Sequence, residues 1–151
     1  EPEAVHVTGC PSIDLAAEIL ESPELDFDPM EKYGGVGAKI DLSGGYIVVL
    51  QHPVTTEYDA SRAHIEETLW SVADLGMPTL WFWPNVDAGS DGTSKGIRVF
   101  RERHKLPHVH FFRNLPPDDF LVLLRDSHGI GQVRSVTGAK FKMPVTPAPT
   151  S

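Results

Sequence analysis

A histidine placed directly after a strongly apolar run is the residue of this chain best suited to chemistry. Residues 47–50 read IVVL without polar alternation, a pattern typical of a strand buried on both faces of a parallel sheet. Gln51 and His52 follow at once, and Pro53 ends the strand because proline has no N–H for ladder pairing. Ligands of open α/β sheets bind at the carboxyl ends of strands, so the pattern predicts that His52 contacts a ligand. The alternative is a strand-end histidine that only caps local backbone.

Polar residues follow two further apolar runs in the same way. These runs are residues 79–83 (TLWFW), ended by Pro84, and residues 108–112 (HVHFF). The polar residues expected at the same edge as His52 are Asn85, Asp87, Ser90, Arg113 and Asn114. Their convergence brings several donors and acceptors to one place, which is typical of a binding site.

Helical patterns alternate with these three strands. One helix is predicted between the candidate caps Asp59 or Ser61 and the stop at Gly76. A second is predicted over residues 93–104, and a third begins near Pro116. This alternation, at about 30 residues per unit, is the βαβ signature, and right-handed crossovers bring all three strand ends to one edge. The predicted fold class is therefore α/β, a parallel sheet flanked by helices.

Residues 1–44 are interpreted as a connector with a short strand and a helix, placed before the sheet domain. Ser12 caps a predicted helix over residues 13–21. Its expected inner face is formed by the apolar positions Ile13, Ala16, Ala17 and Leu20. Residues 22–45 are acidic and rich in glycine and proline, which predicts a surface loop or an interdomain connector with one short helix near Pro29–Tyr33.

The composition argues against several functional classes. The formal net charge of −8 disfavours nucleic-acid binding, which requires a basic surface. No uninterrupted apolar run approaches the roughly 20 residues of a membrane-spanning helix, and no secretory signal is recognisable. Cys10 is the single cysteine, so an internal disulfide is impossible and a cytoplasmic location is expected. We interpret Cys10 as a small apolar filler rather than a catalytic thiol.

Two other groups of residues have less specific patterns. His108 and His110 are expected on one side of a strand and could chelate a metal, but no third ligand is identifiable, so simple packing is preferred. The second predicted helix has a basic patch that could receive an anionic effector, although a solvated face is the default. Neither a GxGxxG nor a Walker A sequence occurs, so dinucleotide and P-loop functions lack support.

Four blocks of the sequence together resemble a known enzyme family. They are GCPSID at residues 9–14, QHPVTTE at 51–57, PNVDAGSDG at 84–92 and FRNLPPDDFLVLL at 112–124. In order and spacing they resemble the hydrolysing UDP-N-acetylglucosamine 2-epimerases, and most of all the branch that makes N-acetylmannosamine for sialic-acid-type sugars. The resemblance covers about residues 5–128.

The resemblance implies one Rossmann-like half of a GT-B-type fold, in which two such halves face each other across a cleft. Residues 45–128 would be the nucleotide-sugar-binding domain, and residues 129–151 a divergent, poorly ordered tail. The family eliminates UDP from UDP-N-acetylglucosamine to give a glycal, to which water adds, and it needs no metal and no redox cofactor. The implied ligand is UDP-N-acetylglucosamine or UDP, without nucleic acid or membrane, and the full-length parent is expected to be a homo-oligomer.

Individual residues receive expected roles from the same resemblance. His52 matches the catalytic histidine near the departing diphosphate, where a cationic or hydrogen-bonding group stabilises developing negative charge. Arg98 and Arg101 match arginines that help bind a feedback nucleotide sugar in the animal bifunctional relatives. The residues that match the substrate-binding block are Asn85, Asp87 and Ser90.

The chain also departs from the family pattern. The family's acid/base carboxylates belong to a first half that this chain lacks, and the GNSS-type turn that holds the diphosphate has no counterpart in residues 128–137. A fragment that is inactive alone is therefore expected. The alternatives are a non-catalytic nucleotide-sugar-binding or structural remnant and a fragment of a GT-B glycosyltransferase. The HPVTTE and PNVDAGS blocks favour the epimerase over the transferase.

Overall fold

The computed structural model describes residues 9–21, 25–53, 60–84, 90–127 and 129–131. The helices in these residues are α1 (Pro11–Glu21), α2 (Pro29–Tyr33), α3 (Ser61–Leu75), α4 (Ser90–Arg103) and α5 (Pro117–Arg125). The strands are β1 (Val36–Gly37), β2 (Ile47–Leu50), β3 (Thr79–Phe82), β4 (Val109–Phe112) and β5 (Gly129–Gly131). None of these helices is both long enough and apolar enough to cross a bilayer.

The strands form one sheet in the order β1-β4-β3-β2-β5. Strand β2 pairs in parallel with β3 and β5, and β3 pairs in parallel with β4. Strand β1 is antiparallel to β4 at one edge. The predicted α/β class and the predicted order of β2, α3, β3, α4, β4 and α5 are therefore confirmed.

The alternation of side chains along the strands divides the core into two apolar layers. On one face, Val49, Trp81 and Phe111 pack against Ile65 of α3 and Ile97 of α4. The opposite face is built from Tyr46, Val48, Leu80, Phe82 and Phe112, which pack with Leu123 of α5. Helices thus cover both faces, which explains why the strands have no polar alternation.

Tyr46 ties α5 to the second face of the sheet. Its hydroxyl donates a hydrogen bond of 2.8 Å to the carbonyl oxygen of Leu123, within the buried layer. Burial raises the pKa of Tyr46 to about 12, so the phenol keeps its proton and remains a donor throughout the physiological range.

Helices α3 and α4 approach each other closely because α4 has glycine at two contact positions. A Cβ atom on Gly96 would lie 2.5 Å from Cγ2 of Ile65, and one on Gly92 would overlap the Ser61 hydroxyl. Such separations are shorter than real carbon contacts, so only glycine fits without displacement of α3. The first turns of both helices are consequently held side by side.

Helix α1 forms as predicted, but the predicted inner face is wrong. Ile13 and Leu20 are 68% and 72% exposed, whereas Ile19 is buried. Helix α1 packs on α5, where Nη1 of Arg125 donates a hydrogen bond of 2.7 Å to the carbonyl oxygen of Ile19. In this contact α1 buries a different side from the one that its apolar residues predict.

Residues 25–46 pack on the domain more closely than a surface loop would. The predicted helix at Pro29–Tyr33 is confirmed, and Asp28 caps it by accepting hydrogen bonds from the N–H groups of Met30 and Glu31. The Tyr33 hydroxyl donates to Asp119 of α5, and Ile40 is buried in the second layer. This segment also supplies β1, which the sequence analysis did not predict.

The sheet also extends beyond residue 128. Gly129–Gly131 forms β5, which pairs in parallel with Ile47–Val49 of β2. These three residues were assigned to the tail, and the structure makes them part of the sheet. The rest of that segment, which was expected to be poorly ordered, lies outside the described residues. The short strand expected before residue 9 lies outside them as well.

Asp126 provides a pH-dependent contribution to stability. Its carboxylate accepts hydrogen bonds from Nε of Arg125 at 2.6 Å and from the N–H of Leu25 at 3.0 Å. The Arg125 hydrogen bond is the main cause that lowers the pKa of Asp126 below its ordinary value of 3.8, and the Leu25 N–H also lowers it. A lowered pKa means that folding favours the ionised form, so this stabilisation is present above the unfolded-state pKa and is lost as the pH falls through the folded-state pKa.

We predict that Asp126→Asn lowers the free energy of unfolding by about 1–3 kcal/mol at pH 7, because charge-assisted hydrogen bonds are lost. We also predict a shallower loss of stability between about pH 5 and pH 2, since asparagine does not titrate there. Urea unfolding across that pH range measures both effects. Glu67→Gln, which removes an exposed carboxylate on α3, is the control. Equal pH slopes for Asp126→Asn and the native chain would contradict the prediction.

A second prediction concerns the close approach of α3 and α4. Gly96→Ala is expected to destabilise the fold by about 1–3 kcal/mol because its methyl group collides with Ile65. This cost should exceed the gain in helix propensity of about 1 kcal/mol. Gly44→Ala is the matched control, since a Cβ atom there meets nothing within 4 Å. The prediction fails if both variants have the urea midpoint of the native chain.

Candidate functional site

The carboxyl ends of three parallel strands lie in register at one edge of the sheet. Leu50 is paired with Phe82, and Phe82 is paired with Phe112. The residues that follow each strand, among them His52, therefore begin at the same edge, as the sequence analysis predicted. His52, Arg113 and Asn114 are all exposed there. We call this region the carboxyl edge.

Only part of the predicted substrate-binding block can be located. Asn85 and Asp87 fall outside the described residues, so the expectation that Asp87 shares a cleft with His52 is not decided. Ser90 is described, and it is the first residue of α4. Ser90 is buried, with 8% of its surface exposed, so it belongs to the inner wall of this region rather than to its outer surface.

Helices α3 and α4 both begin at the carboxyl edge. In the chain, α3 lies between β2 and β3, and α4 lies between β3 and β4, so each helix runs from the carboxyl edge back toward the start of the next strand. The other end of α3 is fixed at the opposite edge, where Nε2 of His108 lies 3.1 Å from the carbonyl oxygen of Val72. The first turn of a helix presents unpaired N–H groups and a partial positive charge, which favour a bound anion.

Buried hydroxyl groups accompany these two helix starts. Ser61 of α3 is 3% exposed, and Thr93 of α4 is 1% exposed. Together with Ser90 they provide hydrogen-bonding groups beneath the first turns, and the glycine contact described above keeps the two turns adjacent. The carboxyl edge therefore combines an imidazole, two positive helix ends and inner hydroxyl groups. These are the groups that stabilise negative charge on a phosphate-bearing ligand.

Gln51 is a further polar residue of this region that the sequence analysis did not select. It is only 5% exposed, and its Oε1 has no hydrogen-bond partner among the residues that the structure describes. The signal was available in the sequence, because residues 47, 49 and 51 share one face of an extended chain. A glutamine that continues a buried apolar face is expected to be buried as well.

The two arginines expected to bind an effector lie on α4, away from its first turn. Arg98 is exposed. Arg101 is partly buried, and its guanidinium carbon lies 4.7 Å from the centroid of the Phe111 ring. A shallow cleft of about 310 Å³ adjoins it, lined also by His104 and Lys105. The structure thus gives Arg101 a cation–π contact within the domain.

His108 and His110 do not point to the same place, so the expected common side is wrong. His108 precedes β4 and contacts the carbonyl oxygen of Val72 in α3. His110 is buried, with Nδ1 2.8 Å from the carbonyl oxygen of Ala38 and Nε2 2.9 Å from that of Gly34. Both imidazoles hold backbone segments in place, which agrees with the preferred packing interpretation. The described residues contain no group of three or more His, Cys, Asp or Glu side chains placed to hold a metal ion.

A cleft with a volume of about 740 Å³ is formed by residues 25–30 and 39–43. None of its lining residues belongs to the segments that follow β2, β3 and β4. Its charged groups pair locally, since Nζ of Lys39 lies 2.6 Å from Oε1 of Glu31 and 3.5 Å from Oδ2 of Asp28. The size of this cleft is therefore a poor guide to function, and we place the candidate site at the carboxyl edge.

No protein-family model matches the sequence. The candidate site is accordingly defined by its own geometry, which brings His52, Gln51 and the first turns of α3 and α4 to one edge of a parallel sheet.

Proposed function

We propose that this chain is the nucleotide-sugar-binding half of a hydrolysing UDP-N-acetylglucosamine 2-epimerase. The observation that carries the proposal is the position of His52 at the carboxyl edge, next to the first turns of α3 and α4. The four sequence blocks that resemble this family supply the substrate class. In the complete enzyme a second Rossmann-like half closes the GT-B-type cleft over the sugar, and the enzyme acts as a cytoplasmic homo-oligomer.

The proposed chemistry requires stabilisation of a leaving diphosphate. The bond between C1 of the sugar and the phosphate oxygen breaks, UDP leaves with the electron pair, and a base removes the proton from C2 to give the glycal. Water then adds across the double bond, with hydroxyl to C1 and hydrogen to C2, and N-acetylmannosamine is released. The side chain of His52 and the helix N–H groups favour the first step because they stabilise the negative charge on UDP.

The chain's share of this reaction is binding and charge stabilisation rather than proton transfer at carbon. The carboxylates that move protons in the family belong to the other half of the enzyme. Asn85, Asp87 and Ser90 are proposed to line the ligand cleft, and Arg98 and Arg101 are proposed as effector contacts. No metal or redox cofactor is part of the proposal.

A non-catalytic nucleotide-sugar-binding role is the second candidate. The observation that favours it is the sequence of residues 128–137, which has no serine pair and no glutamate where the family holds the diphosphate and ribose. Loss of the serine donors and of the glutamate acceptor would weaken binding by removing charge-assisted hydrogen bonds, each worth about 1.5–3 kcal/mol. Both candidates place the ligand at the carboxyl edge, so one set of variants tests both.

We predict that the purified 151-residue chain binds UDP weakly and releases no detectable N-acetylmannosamine. Catalytic groups act together, so removing one set of them lowers the rate by many orders of magnitude. A coupled assay for free UDP, with UDP-N-acetylglucosamine as substrate, measures turnover directly. Steady turnover by the native chain that disappears in His52→Ala would make it a self-sufficient enzyme and would contradict the proposal of a half enzyme.

A further prediction separates the role of His52 from the fold. In a complete enzyme that carries this half, His52→Ala should lower kcat by about a hundredfold or more, because a donor to the developing charge is lost. The circular dichroism spectrum should be unchanged, since His52 is exposed. Arg103→Ala removes a positive charge from the last turn of α4 and serves as the control. Equal loss of activity in both variants would indicate a general electrostatic effect instead of a local one.

A further inference from the structure

Gln51 combines two properties that are seldom found together in a folded protein. Its side chain is more than nine-tenths buried, and no described residue donates a hydrogen bond to its Oε1. Buried polar side-chain atoms nearly always have a partner, so an exception calls for a specific explanation. In ligand-binding proteins, one such explanation is a partner that arrives with the ligand.

The position of Gln51 identifies the region that its side chain serves. Ile47 and Val49 pack in the core layer beneath α3 and α4. Strand alternation places Gln51 on the same face, one step beyond the end of β2. That step lies at the carboxyl edge, where α3 starts at Ser61 and α4 starts at Ser90. Oε1 of Gln51, which has no partner among the described residues, therefore lies at the inner end of the proposed ligand site.

The chemistry of a carbonyl oxygen limits what Gln51 can contact. Oε1 accepts hydrogen bonds and cannot stabilise a phosphate, which has only acceptors when ionised. The helix ends and His52 suit the diphosphate, whereas Gln51 suits a part of the ligand that has an N–H or O–H group. A nucleotide sugar offers such groups on its uracil ring, its ribose, its sugar hydroxyls and its acetamido nitrogen.

We propose that Gln51 is a ligand-binding residue whose Oε1 accepts a hydrogen bond from an N–H or O–H donor of the nucleotide sugar. This inference rests on the proposed function and adds a specificity role to it. Gln51 orients the ligand through a directional hydrogen bond, while the adjacent residue, His52, stabilises charge. A ligand that leaves Oε1 unpaired is discriminated against, because the acceptor is already removed from water.

The test uses Gln51→Met, which has nearly the same size and shape but no acceptor. Leu50→Met is the matched control, since it makes a similar change at the neighbouring position, whose side chain packs with the other layer. The native chain and both variants are titrated with UDP and with UDP-N-acetylglucosamine, and binding is followed by changes in amide NMR signals. Thermal unfolding without ligand is measured in parallel.

We expect Gln51→Met to bind UDP-N-acetylglucosamine about three- to tenfold more weakly than the native chain, which corresponds to one neutral hydrogen bond. If the affinity for UDP falls by a similar factor, the donor is on the uracil or ribose. If only the affinity for the nucleotide sugar falls, the donor is on the sugar. The Tm without ligand should be equal or higher, because no partner of Oε1 is lost. Leu50→Met should retain the native affinities.

Three results would overturn the inference. If Gln51→Met binds both ligands as tightly as the native chain, Gln51 does not contact the ligand, although the proposed function stands. A Tm lower by several degrees in Gln51→Met but not in Leu50→Met would indicate a structural partner for Oε1. If the native chain binds neither ligand at millimolar concentration, the proposed function fails and the role of Gln51 fails with it.

Discussion

The parallel, in-register pairing of β2 with β3 and of β3 with β4 is the constraint on which the candidate site depends. The last residues of these strands are paired with one another, so residues distant in sequence are brought to neighbouring positions at one edge. A shift of one residue in this register would move the apolar side chains of β2 to the opposite faces and would turn Gln51 away from α3 and α4. Because both faces are covered by helices, such a shift is strongly disfavoured. The site thus derives its geometry from the core beneath it.

The same edge shows how a stable core and a polar site are combined. Two glycines let α4 approach α3 closely enough for their positive ends to be adjacent, and any side chain at Gly96 would push them apart. Directly below, the strand sequence changes from leucine to glutamine and histidine. A buried Oε1 at Gln51 that lacks a hydrogen-bond partner in the described part of the chain is unfavourable for folding alone. Such local conflicts between folding and polarity are typical of sites that a ligand completes.

The elements with strong local signals could be predicted from the sequence. Apolar runs that end at Pro53 and Pro84 defined β2 and β3, and the periodic apolar face that ends at Gly76 defined α3. Strand β1 was not predicted because it has only two residues, both exposed, and because its neighbouring segment is held by His110 through backbone carbonyl oxygens. The inner face of α1 was predicted wrongly because this helix packs on α5, where Arg125 binds the carbonyl oxygen of a residue more than 100 positions away in sequence. Gln51 was overlooked because the chemical role at this strand end was assigned to His52 alone.

Strand β5 has a consequence for the behaviour of the chain outside its native fold. It contributes only three residues, two of them glycines, yet it occupies the side of β2 that β3 leaves open. Without it, the most apolar strand of the protein would become a sheet edge with unpaired N–H and carbonyl groups. An apolar edge of that kind is a template for pairing with strands of other molecules. Pairing with this short strand therefore satisfies the backbone groups of β2 and disfavours self-association through that edge.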